Sequence, residues 1–185
     1  EEVMRFLHCL PTLYKDLAFF QFLTASRIGE AAGAQIKNID LEKREVMIKE
    51  CSVWDPSNKV FSYLKAFPKN KQVRYCYIND FLKEIIARSI EKRAPNCDFL
   101  FHYQGKPINY CTIQSNYRSA LRKAGLKFTG THILRHCMAT LARSVTRPLH
   151  ATMTMTRHKH LKLADHYTEI GTAVQKQTSM STKAH

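Results

Sequence analysis

No stretch of the 185 residues approaches the ~18 consecutive apolar positions that a membrane-spanning helix requires. The opening residues, Glu1-Glu2-Val3-Met4-Arg5, lack the basic-then-apolar form of a secretory leader. Glycine and proline are scarce at six each, which argues against a low-complexity or disordered chain. The six cysteines (Cys9, Cys51, Cys76, Cys97, Cys111, Cys137) are scattered, with no C-x-x-C pair and no metal-ligand spacing. A disulfide framework is therefore not expected; reduced thiols in a cytoplasmic setting are. Acidic residues are also few, 15 against 29 Lys+Arg, for a net charge of +14. That imbalance favours a polyanionic partner, and nucleic acid is the usual one.

What is present suits one globular domain. The hydrophobic fraction is 44%, ten residues are phenylalanine, and the length suffices to bury a sizeable core. Because the chain starts at Glu1, we expect it to be an excised domain of a longer protein.

Apolar spacing predicts a helix over residues 1–10, closed by Pro11, and a second from Thr12 through Leu17, Phe19, Phe20, Phe22 and Leu23, whose bulky stripe is core. A short third helix starts at Ser26-Arg27-Ile28-Gly29-Glu30, with Ser26 as its expected cap. The period then changes. Residues 45–49, 59–64 and 73–78 read as three strands, with Asp55-Pro56-Ser57-Asn58 as the first turn and Pro68 to Gln72 as a short basic second one. Helices follow from Asn79-Asp80 to about Ala94, from Asn109 to Lys123 with Gly125 closing it, and from Thr131 to Ala142. Between the first two, Phe99-Leu100-Phe101 is extended and Gln104 to Pro107 is a turn. Tyr117, Arg118, Arg122 and Lys123 give the Asn109 helix a basic face beside an apolar one.

The residues that carry chemistry are spread along the chain. Arg27 lies near a helix N-terminus, where guanidinium and backbone N–H groups together gather phosphate oxygens. His132 and Arg135 are three apart on one helix and project from one face. His158 lies 22 positions beyond His136, and Tyr167 nine further on. Two histidines, arginines that stay charged and a tyrosine hydroxyl are the groups needed to grip a phosphodiester, manage its protons and attack it.

In this order, Arg27 within Thr-Ala-Ser-Arg-Ile-Gly-Glu, a hairpin lysine, His132-Ile-Leu-Arg135-His136, His158 and Tyr167, the sequence resembles the tyrosine recombinase (phage integrase) family over nearly its whole length. The resemblance implies an α+β fold, mainly helical, with a small antiparallel three-stranded sheet carrying the lysine hairpin. Residues 1–170 would form the catalytic domain, and 171–185 a tail docking on a neighbouring protomer. The family's N-terminal DNA-clamping domain is not in this chain.

The resemblance also assigns roles. Tyr167 would be the nucleophile, attacking a DNA phosphate to give a 3′-phosphotyrosyl bond and a free 5′-hydroxyl. Arg27 and Arg135 would hold the non-bridging oxygens, with Glu30 as a buried partner, and His132 and His158 would handle protons. The catalytic lysine would be Lys69, five positions before Arg74, with Lys71 second and Lys65 third. Lys69, Lys71, Arg118 and Arg122 would join Arg27 and Arg135 on the DNA. Neither metal nor ATP is implied.

The partner would be double-stranded DNA, bound by a homo-oligomer, a tetramer on recombination sites, in the nucleoid of a bacterial, archaeal or phage-encoded system. One departure from the family pattern is Thr156-Arg157-His158, where Leu-Gly-His is usual, and His160 rivals His158 there. Three other readings use the same residues: a type IB topoisomerase-like enzyme, a catalytically inactive DNA-binding relative, and a generic basic nucleic-acid-binding domain.

Overall fold

The computed structural model describes residues 1–66 and 73–145, the closing turns of the last helix by backbone alone. Helix α1 is Glu2–His8 and α2 is Thr12–Leu23. Pro11, which cannot donate to a preceding carbonyl, sits at the α2 N-cap and makes the break between them. A short α3, Ile28–Ala32, leads through a 3-10 turn into strands β1 (Ile39–Asp40) and β2 (Glu45–Ile48). Strands β3 (Cys51–Trp54), β4 (Phe61–Lys65) and β5 (Arg74–Tyr77) follow, then α4 (Asp80–Glu91). A small hairpin, β6 (His102–Tyr103) and β7 (Lys106–Pro107), precedes α5 (Tyr110–Lys123) and α6 (Ile133–Val145).

The long apolar run in α2 makes it the central helix. From Asp16 to Ser26 every residue is buried, and α2 packs against α1, α3, α4, α5 and α6. Its phenylalanines meet other rings edge-on: Phe19 with Phe81 at 4.8 Å and Phe20 with Phe101 at 5.4 Å, an arrangement that adds to their burial. Asp16, buried on α2, is satisfied by two N–H donors of Arg88 from α4, at 3.2 and 2.5 Å.

The chain is mixed helix and sheet, as expected, but the sheet has different members. The three-stranded antiparallel sheet has the order β1-β2-β5, with Val46 opposite Ile39 and Cys76. The expected middle strand, here β4, instead pairs with β3 in a separate hairpin. The cause lies at Lys49-Glu50. Glu50 is buried, accepting a hydrogen bond from Asn38 Nδ2 and facing Lys37 Nζ at 3.6 Å, and this turns the chain out of β2 before β3 begins. Strand β3, over residues 51–54, is thus one that the sequence reading did not include. The turn at Asp55 is as expected: its carboxylate accepts the Ser57 and Asn58 N–H groups at 2.8 and 3.1 Å.

Two kinds of contact, directed hydrogen bonds and one close backbone approach, fix the position of the β3–β4 hairpin. The Asn109 side chain accepts the Phe61 N–H at 2.8 Å rather than capping α5, and Trp54 Nε1 donates to Ile108 O at 2.9 Å. On the other side α3 lies so close to β3 that a β-carbon on Gly33 would stand 2.6 Å from Ser52 N and 2.9 Å from Gly29 O. Gly33 has an ordinary φ of −90°, so it is the space, and not the backbone angle, that requires glycine there. Gly125 is the opposite case, with φ +72° and open space around it, closing α5 through Leu126 N–H to Leu121 O at 2.8 Å.

The Gly33→Ala variant should lose roughly 1–3 kcal/mol of stability in urea denaturation, because only backbone atoms meet the new methyl and they must move. An unchanged midpoint would mean that α3 and β3 are free to separate.

Candidate functional site

The site forms where α2 hands over to α3. Thr24 Oγ1 donates back to Phe20 O at 2.6 Å, and Ala25 takes φ +50° to make the turn. With its one proton so used, Thr24 Oγ1 accepts from Ser26 Oγ at 2.7 Å. Ser26 is therefore an internal brace of the turn and not the helix cap. Arg27 occupies the N-cap of α3 in extended conformation.

Glu30, one turn into α3, is 2% exposed and gathers its surroundings. Its Oε2 accepts the Arg27 backbone N–H at 2.9 Å and Arg74 Nη2 at 3.0 Å, while its Oε1 accepts Arg27 Nη1 at 3.0 Å. Arg135 Nη1 lies 3.9 Å from Oε2 and donates to Ala25 O at 2.7 Å. Arg74 also donates to Thr24 O at 3.1 Å and Ser26 Oγ at 3.3 Å.

Three guanidiniums from α3, β5 and α6 thus converge on one carboxylate, a local balance of +2. Their exposure is graded: Arg74 at 11% forms the floor, with Arg135 at 22% and Arg27 at 38% nearer solvent.

The charges leave their mark on ionisation. Burial raises the Glu30 pKa, but the Arg74 charge and the hydrogen bonds from Arg27 prevail, and the carboxyl stays below its ordinary value. Arg135 is shifted down, first by burial and then by Arg27 and Arg74, the signature of cations held closer together than they prefer. His132, just before α6, is shifted down by partial withdrawal from water, then by His136, Arg135 and Arg27. The shift favours the neutral imidazole, which has one nitrogen able to accept a proton. Cys76 and Cys51 border the cluster, and burial raises both thiols, so neither is a reactive thiolate.

Arg27, Arg135 and His132 are therefore brought together as the sequence suggested, with Glu30 as their buried partner. Arg118 and Arg122 stand exposed on α5, the Arg118 guanidinium 5.0 Å from the Phe128 ring centre. Tyr117, expected on that basic face, is fully buried against Phe6 in the core. His136, one turn beyond His132, is exposed.

Lys65 ends β4 opposite Cys51, where its charge acts together with that of Arg27. Lys69, Lys71, His158, Tyr167 and the 171–185 tail lie outside the described residues. Arg74 was missed as a site residue. Its signal was present only as a spacing marker for the hairpin lysine. Among the described residues no group of three or more His, Cys, Asp or Glu could hold a metal ion, and no helix is long and apolar enough to cross a membrane.

The domain is thus a mixed helix-and-sheet fold in which three arginines, from α3, β5 and α6, meet around one buried carboxylate. The chain belongs to the phage integrase family, whose sequence profile matches residues 1–173. It is 25% identical over 177 residues to a tyrosine recombinase XerC-like protein of Caldanaerobacter subterraneus subsp. tengcongensis, covering 84% of this chain and 45% of that one.

Its fold matches that of the Tn1549 transposon integrase in complex with transposon right end DNA, with a TM-score of 0.66 at 20% identity, covering 82% of this chain and 52% of the other. It also matches XerH site-specific recombinase bound to palindromic difH substrate, with a TM-score of 0.64 at 20% identity over 91% of this chain and 46% of that one. At these identities the two structures establish the fold. The chain spans about half the length of these relatives.

Glu30 has a depressed pKa in the folded state, so the stability it contributes is full above the unfolded value of about 4.3 and is lost as pH falls through the lower folded value. Glu30→Gln should lower stability at pH 7 by on the order of 3 kcal/mol, because it leaves three clustered cations uncompensated. The difference from wild type should narrow as pH drops below ~4. Thermal melts of both proteins from pH 7 to pH 3 measure it, and a constant difference would exclude Glu30 as the titrating partner.

Proposed function

We propose that this chain is the catalytic domain of a site-specific DNA recombinase that cleaves and rejoins strands through a tyrosine. The observation that carries this reading is the three-arginine cluster around Glu30, whose excess charge suits a phosphate with two non-bridging oxygens. Family membership supports the choice of DNA.

In this reading the Tyr167 hydroxyl attacks a backbone phosphorus. The tyrosine O–P bond forms, the P–O5′ bond breaks, and the strand is left 3′-phosphotyrosyl with a free 5′-hydroxyl. Arg27 and Arg135 stabilise the charge that grows on the non-bridging oxygens, and their fixed orientation by Glu30 and Ala25 O means little reorganisation at the moment of reaction. His132 or His158 takes the tyrosine proton, and Lys69 (Lys71 or Lys65 in its stead) gives a proton to the departing O5′. Reversal by a 5′-hydroxyl from another strand rejoins the DNA, so the phosphodiester's energy is kept in the protein bond. Arg118 and Arg122 on the exposed face of α5 add contacts to the duplex. The assembly would be a homo-oligomer on DNA in a prokaryotic or phage-encoded system.

The test is a suicide duplex from the junctions flanking the gene, nicked so that the cleaved strand cannot religate, incubated without added metal. A covalent adduct on a denaturing gel is expected from wild type and not from Tyr167→Phe. An adduct that survives the substitution would remove Tyr167 as nucleophile, and binding without any adduct would favour a DNA-binding relative that has lost activity.

Arg135→Ala should slow adduct formation by about 10²–10³-fold. Arg118→Ala and Arg122→Ala should each flatten the salt dependence of DNA affinity by about one unit of slope while leaving the cleavage chemistry intact. Unaltered slopes would take α5 off the DNA.

A further inference from the structure

We infer that Gln21 is a positioning residue for His132, fixing the backbone that delivers the histidine to the arginine cluster; the functional side of this inference rests on the reading proposed above. Gln21 is the one amide within Phe19-Phe20-Gln21-Phe22-Leu23, and it is completely buried. An apolar side chain would fill that place without any directional demand. The amide has partners at both ends. Its Nε2 donates to Thr131 O at 2.8 Å and its Oε1 accepts from Tyr117 OH at 3.1 Å. A carbonyl cannot donate, so the Thr131 contact fixes which end of the amide points where. The main chain of the same residue accepts the Ser26 N–H at 3.0 Å, bracing the turn that presents Arg27.

Thr131 immediately precedes His132 and follows an irregular link that leaves α5. It is held from the opposite side as well, its hydroxyl 3.2 Å from Tyr110 OH. Tyr110 is in turn fixed by its N–H to Lys59 O at 2.9 Å and by the Trp54 ring at 5.2 Å. One buried side chain thus references the histidine segment to the helix that carries the arginine turn. His132 then lies in the field of His136 and Arg135 from α6 and of Arg27 and Glu30 from α3, and the three cationic neighbours add to its partial burial in lowering its pKa.

The experiment follows the ring signals of the histidines by NMR through a pH titration. It compares wild type with Gln21→Met, Tyr117→Phe and the double variant, and records thermal stability alongside. Gln21→Met should raise the His132 midpoint toward ~6.5, the value of a histidine released from its neighbours, with the other histidine signals as internal controls. Tyr117→Phe should leave His132 where it was. The double variant should regain part of the stability lost in Gln21→Met, because the stranded tyrosine hydroxyl is gone, yet keep the displaced His132.

A merely structural amide gives a different pattern: a His132 signal that never moves, or one that recovers with stability in the double variant. Either result overturns the inference, and the double variant keeps the test decisive should Gln21→Met alone fail to fold. On the suicide duplex Gln21→Met should cleave roughly 10- to 100-fold more slowly with unchanged DNA affinity. If wild type itself forms no adduct, the recombinase reading falls while the NMR titration still decides the positioning role.

Discussion

The structure depends on one carboxylate. Glu30 is a single acid placed where three arginines from distant parts of the chain must come together. Like charges at such distances repel, and burial makes the repulsion stronger. Without Glu30 the α3 turn, strand β5 and the first turn of α6 would each be driven from the others by the very side chains that make the site. With it, Arg74 becomes a tie between β5 and the α2–α3 turn, since its other N–H groups close on Thr24 O and Ser26 Oγ. Arg74 therefore serves as architecture, and Arg27 and Arg135, the more exposed of the three, are the ones that the proposed recombinase reading turns toward a phosphate.

The surrounding fold holds these elements in register by devices of two kinds. Glycine at position 33 lets α3 approach β3 to backbone contact, and so brings the β3–β4 hairpin beside the arginine turn. Hydrogen bonds of fixed direction do what close packing cannot: Trp54 Nε1 to Ile108 O and Phe61 N–H to Asn109 Oδ1 lock that hairpin to the start of α5. A core of phenylalanines supplies cohesion but little directional information. The polar bonds decide which of several equally compact arrangements is adopted.

Much of this was legible in the sequence, for identifiable reasons. Helix limits follow local signals: Pro11, the Asn79 cap whose Oδ1 accepts the Leu82 N–H at 2.8 Å, and Gly125 at positive φ. The convergence of Arg27, His132 and Arg135 with Glu30 was legible through the family pattern. Sheet membership was not, because pairing is decided by partners far along the chain, and a buried Glu50 bonded to Asn38 leaves no periodic trace. Ser26 and Asn109 carry cap chemistry, yet their side chains answer other donors and acceptors that sequence spacing does not reveal. Gln21 and Thr131 are 110 positions apart. Nothing local marks either as the other's partner.

The uneven charge at the site argues for a purpose that stability alone would not choose. A second carboxylate beside Arg135 would relieve the repulsion from Arg27 and Arg74 that adds to burial in lowering its pKa. It would also neutralise the field that an incoming phosphate meets. By compensating three cations with one acid, the chain leaves the cluster an excess of positive charge that, in the proposed recombinase reading, a bound phosphate would offset. The same logic explains the grading of exposure. The arginine needed for architecture is deepest and best paired, and the ones that face solvent are those left short of a full counter-charge.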